Sequence, residues 1–133
     1  MLQSIVILFW SLFSPDILEL RVEGIEENKG VIRIAFYDSE AIHLDEEEVT
    51  YYHEEQVTNS GTMDIQIDIP SGDYSVAIYH DLNADKQLNK NMFGIPKEPY
   101  GFSNNVMGMF GPPSFEEAKI EFPKTNRIII NLR

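Results

Sequence analysis

The stretch MDIQIDIPSGDYSVAIYHD, residues 63–81, decides the fold class. Met63, Ile65, Ile67 and Ile69 alternate with Asp64, Gln66 and Asp68, the period of two that a half-buried strand requires. Pro70-Ser71-Gly72-Asp73 then turns the chain, because proline presets φ and glycine accepts conformations other residues avoid. Beyond the turn Tyr74, Val76 and Ile78 share one face and Ser75, Ala77 and Tyr79 the other. The small residues on the second face predict a central strand covered on both sides. His80 continues the Tyr74 face and is expected to point inward, which puts Asp81 on the opposite face.

The same alternation extends outward in both directions. Leu18, Leu20 and Val22 alternate with Glu19, Arg21 and Glu23, and Gly24 ends that strand. The turn Glu26–Gly30 (EENKG) leads to a second strand carrying Ile32, Ile34 and Phe36, so the pair is expected to form a hairpin. The acidic stretch from Asp38 to Glu55 predicts a solvated connection with one edge strand near residues 50–57, where like charges discourage further pairing; the alternative is a cation-binding rim. Downstream, Ala118, Ile120 and Phe122 alternate with Glu117, Lys119 and Glu121. Pro123 to Asn126 turns the chain, and Ile128, Ile130 and Leu132 finish it. The run Glu116–Lys119 is too short for an independent helix. About seven strands and no helix predict an all-β fold: an antiparallel Greek-key β-sandwich, immunoglobulin-like or transthyretin-like, with one long irregular loop.

The totals narrow the function. The chain has 133 residues, 43% of them apolar, enough for one domain with its own core. Ten basic against twenty-two acidic residues leave a net charge of −12, which repels phosphate backbones and argues against a nucleic-acid partner. Cysteine is absent, which excludes disulfides, thiolate zinc sites and cysteine nucleophiles. Residues Ile5 to Phe13 are continuously apolar and stop at Ser14-Pro15. Residues 1–14 are therefore expected to be a signal peptide or an apolar N-terminal segment ahead of a single domain over residues 15–133. Cleavage would make the mature protein periplasmic or secreted. No apolar run approaches the roughly 20 residues of a membrane helix, so no transmembrane span is expected in the mature protein.

The candidate site is the long insertion from His80 to Phe115. It holds half of the eight glycines, four of the seven prolines and the aromatics Phe93, Tyr100, Phe102 and Phe110. Long irregular insertions in compact domains are usually functional or disordered, and aromatics argue against disorder. Counting Asp81 as position one, Asn83, Asp85 and Asn89 fall at positions three, five and nine of a calcium loop, with the Gln87 carbonyl at seven. Lys86 stands where such loops place glycine, and Met92 where they place a bidentate glutamate. The competing reading is an Asx-rich turn bonded to its own backbone.

In the second half of the insertion, glycines, prolines and aromatics describe a rigid Ω-like lobe. Lys97 and Glu98 are expected as its exposed charges, Tyr100 and Phe102 as core plugs or a ligand-facing platform, and Asn104 and Asn105 as partners for buried backbone. Together with His80 these are the candidate binding residues. No catalytic residue is assigned. The enzyme alternative is a small hydrolase using His80 with Asp81 or an acid from elsewhere; alternation places His80 and Asp81 on opposite faces, and no base is tied to Ser103. The residues favour a non-catalytic binding or structural module for an unknown protein or small ligand; a structural subunit of an envelope assembly is the further alternative.

His80-Asp81-x-Asn83, Gly94-Ile95-Pro96-Lys97-Glu98, Tyr100-Gly101-Phe102-Ser103-Asn104-Asn105 and Phe110-Gly111-Pro112-Pro113-Ser114-Phe115, in that order, resemble the bacterial domain-of-unknown-function 2141 family. The resemblance spans roughly Leu18 to Leu132. It implies an exported bacterial β-sandwich made of this domain alone, and it supplies no activity. Similar sequences read closer to HDENGNGKLD in the first loop, with glycine where this chain has Lys86 and aspartate where it has Asn89. The turn at Gly72 and Tyr74 also looks like that of transthyretin-like sandwiches, but the convergent His and Arg residues and the C-terminal motif of the hydrolases among them are absent.

Overall fold

Strict alternation yields strands wherever it occurs. The computed structural model describes residues 16–107 and 111–133, so the apolar run at residues 5–13 and Phe110 lie outside it. Among the described residues the strands are β1 (Ile17–Ile25), β2 (Val31–Tyr37), β3 (Tyr51–Gln56), β4 (Gly61–Asp68), β5 (Gly72–Asp81), β6 (Tyr100–Phe102), β7 (Ile120–Phe122) and β8 (Arg127–Asn131). They build two sheets. One has the order β4-β1-β8; the other runs β3-β2-β5-β6, with β7 pairing the start of β5. The expected all-β, two-sheet domain is observed, with eight strands rather than seven because β6 lies inside the insertion.

The inward residues of both sheets form one core, including Leu18, Leu20, Ile32, Ile34, Phe36 and Ile130, all at most 1% exposed. Phe36 meets the edge of Tyr74 at a ring-centroid distance of 6.0 Å. Each such side chain contributes on the order of 1.5–3 kcal/mol through apolar burial.

Three expectations are corrected. β1 and β2 do not form a hairpin: they lie in different sheets, and Glu26–Gly30 carries the chain across the core. The outward faces explain this. β1 and β4 present charged residues outward and pair with each other, with Arg21 bonded to Asp64 at 2.9 Å. β2 has a second face of Arg33, Ala35 and Tyr37 that needs cover, and it pairs with β3 and β5 instead. The sandwich is also not wholly antiparallel, since β8 returns from the opposite sheet and runs parallel to β1. Lastly, Phe115–Ala118 forms one turn of helix, α1. Ser114 and Glu117 close a capping box around it, which satisfies the exposed N–H groups that a short run cannot satisfy alone.

The expected edge strand is β3, which ends its sheet among the described residues. The other end of the same sheet is joined to β8 instead. Tyr100 and Arg133 exchange backbone hydrogen bonds of 3.2 and 2.9 Å, and the close approach is possible because position 101 has no side chain. A Cβ on Gly101 would lie 2.6 Å from the Asn131 carbonyl oxygen and 2.7 Å from Ile130 Cγ2. Gly101→Ala is therefore expected to cost about 1–3 kcal/mol by overpacking, seen as a lower urea midpoint with an unchanged denaturant slope.

Candidate functional site

The outward face of the five-stranded sheet is the floor of the site. Strand register places Glu54, Arg33, Tyr79 and Tyr100 in one row across β3, β2, β5 and β6, and Tyr52, Ala35, Ala77 and Phe102 in the next. Two connections rise over this floor: residues 38–50, which contribute Leu44 and Val49, and the insertion, which contributes Leu88, Ile95, Pro96, Met107 and Pro112. Between floor and roof lies a cleft of about 770 Å³ with mostly apolar and aromatic walls. Tyr100 and Phe102 both line it, edge to face with centroids 5.8 Å apart.

One corner of the cleft is polar. Arg33 is only 4% exposed; its Nε donates to Asp81 at 2.6 Å, and its Nη1 donates to the Tyr52 hydroxyl at 2.7 Å and to Glu54. Burial opposes its charge most strongly, but these bonds together outweigh burial and hold its pKa above the ordinary arginine value. Asp81 is fully buried and also accepts the backbone N–H of Lys86 at 2.8 Å and of Asp85 at 3.2 Å. Burial first, and then the Asp81 charge, push the neighbouring Tyr79 hydroxyl well above its usual pKa.

The loop beyond Asp81 folds into successive Asx turns. Asp85 N–H donates to Asn83 Oδ1 at 3.4 Å, and Gln87 N–H donates to Asp85 Oδ1 at 2.9 Å. The Gln87 N–H is the main reason the Asp85 carboxyl sits below its ordinary pKa. Glu98 corrects the sequence expectation. Expected as an exposed charge, it is 6% exposed and accepts Leu82 N–H at 2.7 Å, Asn89 N–H at 3.1 Å and Asn89 Nδ2 at 3.2 Å. One oxygen each from Asp81, Asp85 and Glu98 lie within 4.8 Å of one another. The structure thus joins two of the predicted metal ligands to Glu98, while Asn83 and Asn89 turn their amides onto Asp85 and Glu98.

The remaining candidates lie apart from this corner. His80 is fully buried on the inward face, where its Nε2–H donates to the Lys29 carbonyl at 2.6 Å. It and Asp81 face opposite sides of β5 and form no dyad. Ser103 is sealed in the interior, accepting Val76 N–H at 2.9 Å and donating to the Ala118 carbonyl. Asn104 bonds the carbonyls of Glu117 and Lys119, each at 3.0 Å, and Asn105 bonds the Ile129 carbonyl and the Asn131 N–H along β8. Both asparagines occupy left-handed backbone conformations and fasten the lobe to the sandwich. Lys97 is exposed, as expected.

Sequence reasoning missed Arg33, Tyr52, Glu54 and Tyr79 as parts of one corner, although an arginine within the apolar run VIRIAFY was the available signal. It also missed His43. The imidazole accepts from Ser75 Oγ at 2.8 Å and donates to the Pro113 carbonyl at 2.8 Å, pinning both roof segments to β5. Ser75 is 1% exposed, so this contact is a fastening.

A family model described as "Uncharacterized protein conserved in bacteria (DUF2141)" matches residues 20–130. The chain is a DUF2141 protein. The match begins in β1 and ends in β8, so it takes in both sheets and the cleft of this DUF2141 domain. No curated protein and no solved structure matches the chain.

Lys86 adopts φ +64°, a left-handed conformation that costs a residue with a Cβ on the order of 1–2 kcal/mol. Glycine takes that conformation freely but loses more entropy on folding. Lys86→Gly in this DUF2141 domain is expected to raise stability by up to about 1 kcal/mol, measured as a higher urea midpoint.

Proposed function

We propose that this DUF2141 domain is a non-catalytic binding module that holds a small, largely apolar ligand in the cleft above the five-stranded sheet. The observation that carries this reading is the cleft of about 770 Å³, floored by Ala77, Tyr79, Tyr100 and Phe102 and roofed by Leu88 and Ile95. Mostly apolar walls with a few convergent polar groups are the usual form of a small-molecule site. Arg33, Tyr52 and Glu54 supply that polar corner and would orient the ligand. No catalytic step is proposed, since His80 and Asp81 face opposite sides of β5. The proposal includes export from the bacterial cytoplasm, supported by the apolar run Ile5–Phe13 ending at Ser14-Pro15.

The neutral fluorophore N-phenylnaphthylamine tests the cleft. The full chain is expected to bind it saturably with a rise in fluorescence, and Ala77→Trp, whose indole would fill the floor, is expected to weaken binding by about tenfold or more, roughly 1.4 kcal/mol. Equal binding by both proteins would overturn the reading.

A second part of the proposal is that a divalent cation, calcium by the chemistry of its oxygen donors, organises the roof at Asp81, Asp85 and Glu98. Its support is the arrival of Glu98 beside the loop, which adds a third carboxylate to the two that the sequence provided. A cation that binds only the native state at a hundredfold excess over Kd contributes about 2.7 kcal/mol, a melting shift on the order of 6–12 °C. Melts of the full chain in EDTA, calcium and magnesium are expected to show a rise selective for calcium that Asp85→Asn removes. Coincident melts would remove the cation from the proposal and leave the cleft.

A further inference from the structure

The roof of the cleft ends in a knuckle whose tip, Met92 and Phe93, is not part of the cleft wall. Lys90 and Pro96 form an antiparallel bridge, and Asn91 N–H donates to the Ile95 carbonyl at 2.9 Å. The Asn91 side-chain oxygen then accepts Phe93 N–H at 2.9 Å and Ile95 N–H at 3.1 Å, and Gly94 N–H donates to the Asn91 carbonyl at 3.0 Å. The backbone of the turn is thus satisfied by its own residues, while Met92 and Phe93 project into solvent and Ile95 lies partly against the cleft. Met92 is 91% exposed, Phe93 82% and Ile95 57%. Large apolar side chains held in water by a hydrogen-bonded turn mark an interaction site.

Charge identifies the partner. Residues 86–97 contain Lys86, Lys90 and Lys97 and no acid, in a chain with ten basic and twenty-two acidic residues. All three lysines are exposed, and none is paired with a carboxylate among the described residues. An apolar tip ringed by lysines suits the boundary of an anionic bilayer: the tip enters the acyl region while the ammonium groups stay at the headgroups. Exposed Asp85 adjoins Lys86 and offsets it in part, while charges more than about 8 Å from the surface are largely screened at physiological ionic strength. We propose that the Asn91–Ile95 knuckle inserts Met92 and Phe93 into an anionic phospholipid surface, with Lys86, Lys90 and Lys97 at the headgroups. Lys86, Lys90 and Ile95 also line the cleft, whereas Met92, Phe93 and Lys97 do not, so insertion is read at Phe93.

The test uses the full chain carrying Trp10→Phe and Phe93→Trp, which leaves one tryptophan, at the tip. Vesicles of phosphatidylcholine alone are compared with vesicles of phosphatidylcholine and phosphatidylglycerol in equal parts. Insertion predicts a blue shift of the emission with the anionic vesicles only. Adding Lys90→Gln and Lys97→Gln is expected to weaken binding by about tenfold or more, and adding Met92→Ser to weaken it further. These residues are exposed, and an unchanged thermal melt confirms that each variant is folded. Unshifted emission with anionic vesicles, including the case where the protein sediments with them through another segment, overturns the proposal. So does an equal shift with phosphatidylcholine alone. A blue shift that grows with protein concentration in the absence of vesicles assigns the knuckle to a second copy of the chain and likewise overturns it.

Discussion

Donors from two distant parts of the chain converge on the buried Asp81 carboxylate: Arg33 Nε from β2, and the backbone N–H groups of Asp85 and Lys86 from the loop. An ionised carboxylate without water is tolerated only when its lone pairs are bonded and its charge is matched, and Asp81 meets both conditions. The same carboxylate that anchors the arginine therefore shapes the first turn of the roof. Arg33 extends the chain of bonds to Tyr52 and Glu54 on β3, so one buried ion pair links three adjacent strands to the loop above them. Removing either partner of such a pair typically costs about 3–5 kcal/mol, because the other charge is left buried and unmatched.

The period of two along β5 explains why two adjacent polar residues have unrelated environments. His80 points into the core and bonds the backbone of the turn before β2, whereas Asp81 points to the cleft side and bonds Arg33. Gly30 is needed at that turn. A Cβ there would lie 2.3 Å from the Asp81 carbonyl oxygen, and its φ of +76° suits glycine. The close approach of the turn to the end of β5 thus brings His80 within reach of Lys29 and steadies the point where the loop begins.

The roof is fastened from several sides. His43 bridges Ser75 and Pro113, Glu98 gathers the N–H groups of Leu82 and Asn89, and the two asparagines after β6 bond α1, the Lys119 carbonyl that follows it, and β8. Each is a polar side chain serving backbone groups that an irregular segment cannot pair by itself, the requirement that any covered loop must meet. These bonds fasten the segments that line the cleft to the two sheets.

What the sequence determined by itself was the set of strands and their inward faces, because alternation at Leu18–Val22, Ile32–Phe36, Met63–Ile69 and Tyr74–Ile78 is a local property with one burial solution. It also marked residues 80–115 as a long irregular insertion, since their glycines, prolines and spaced aromatics break that period. The one-turn helix at Phe115–Ala118 was not legible, because its support is the capping box of Ser114 and Glu117 rather than its length. Which strands share a sheet was decided only by tertiary structure. A turn such as Glu26–Gly30 serves a hairpin or a crossing equally well, and the choice depends on whether the second face of β2 finds cover. The parallel pairing of β8 with β1 has the same origin. Nor could local pattern show that Arg33 meets Asp81 across 48 positions, or that Glu98 turns inward beside Asp81 and Asp85. Charges that far apart in the chain are brought together by strand register, and register is set by the packing of the whole core.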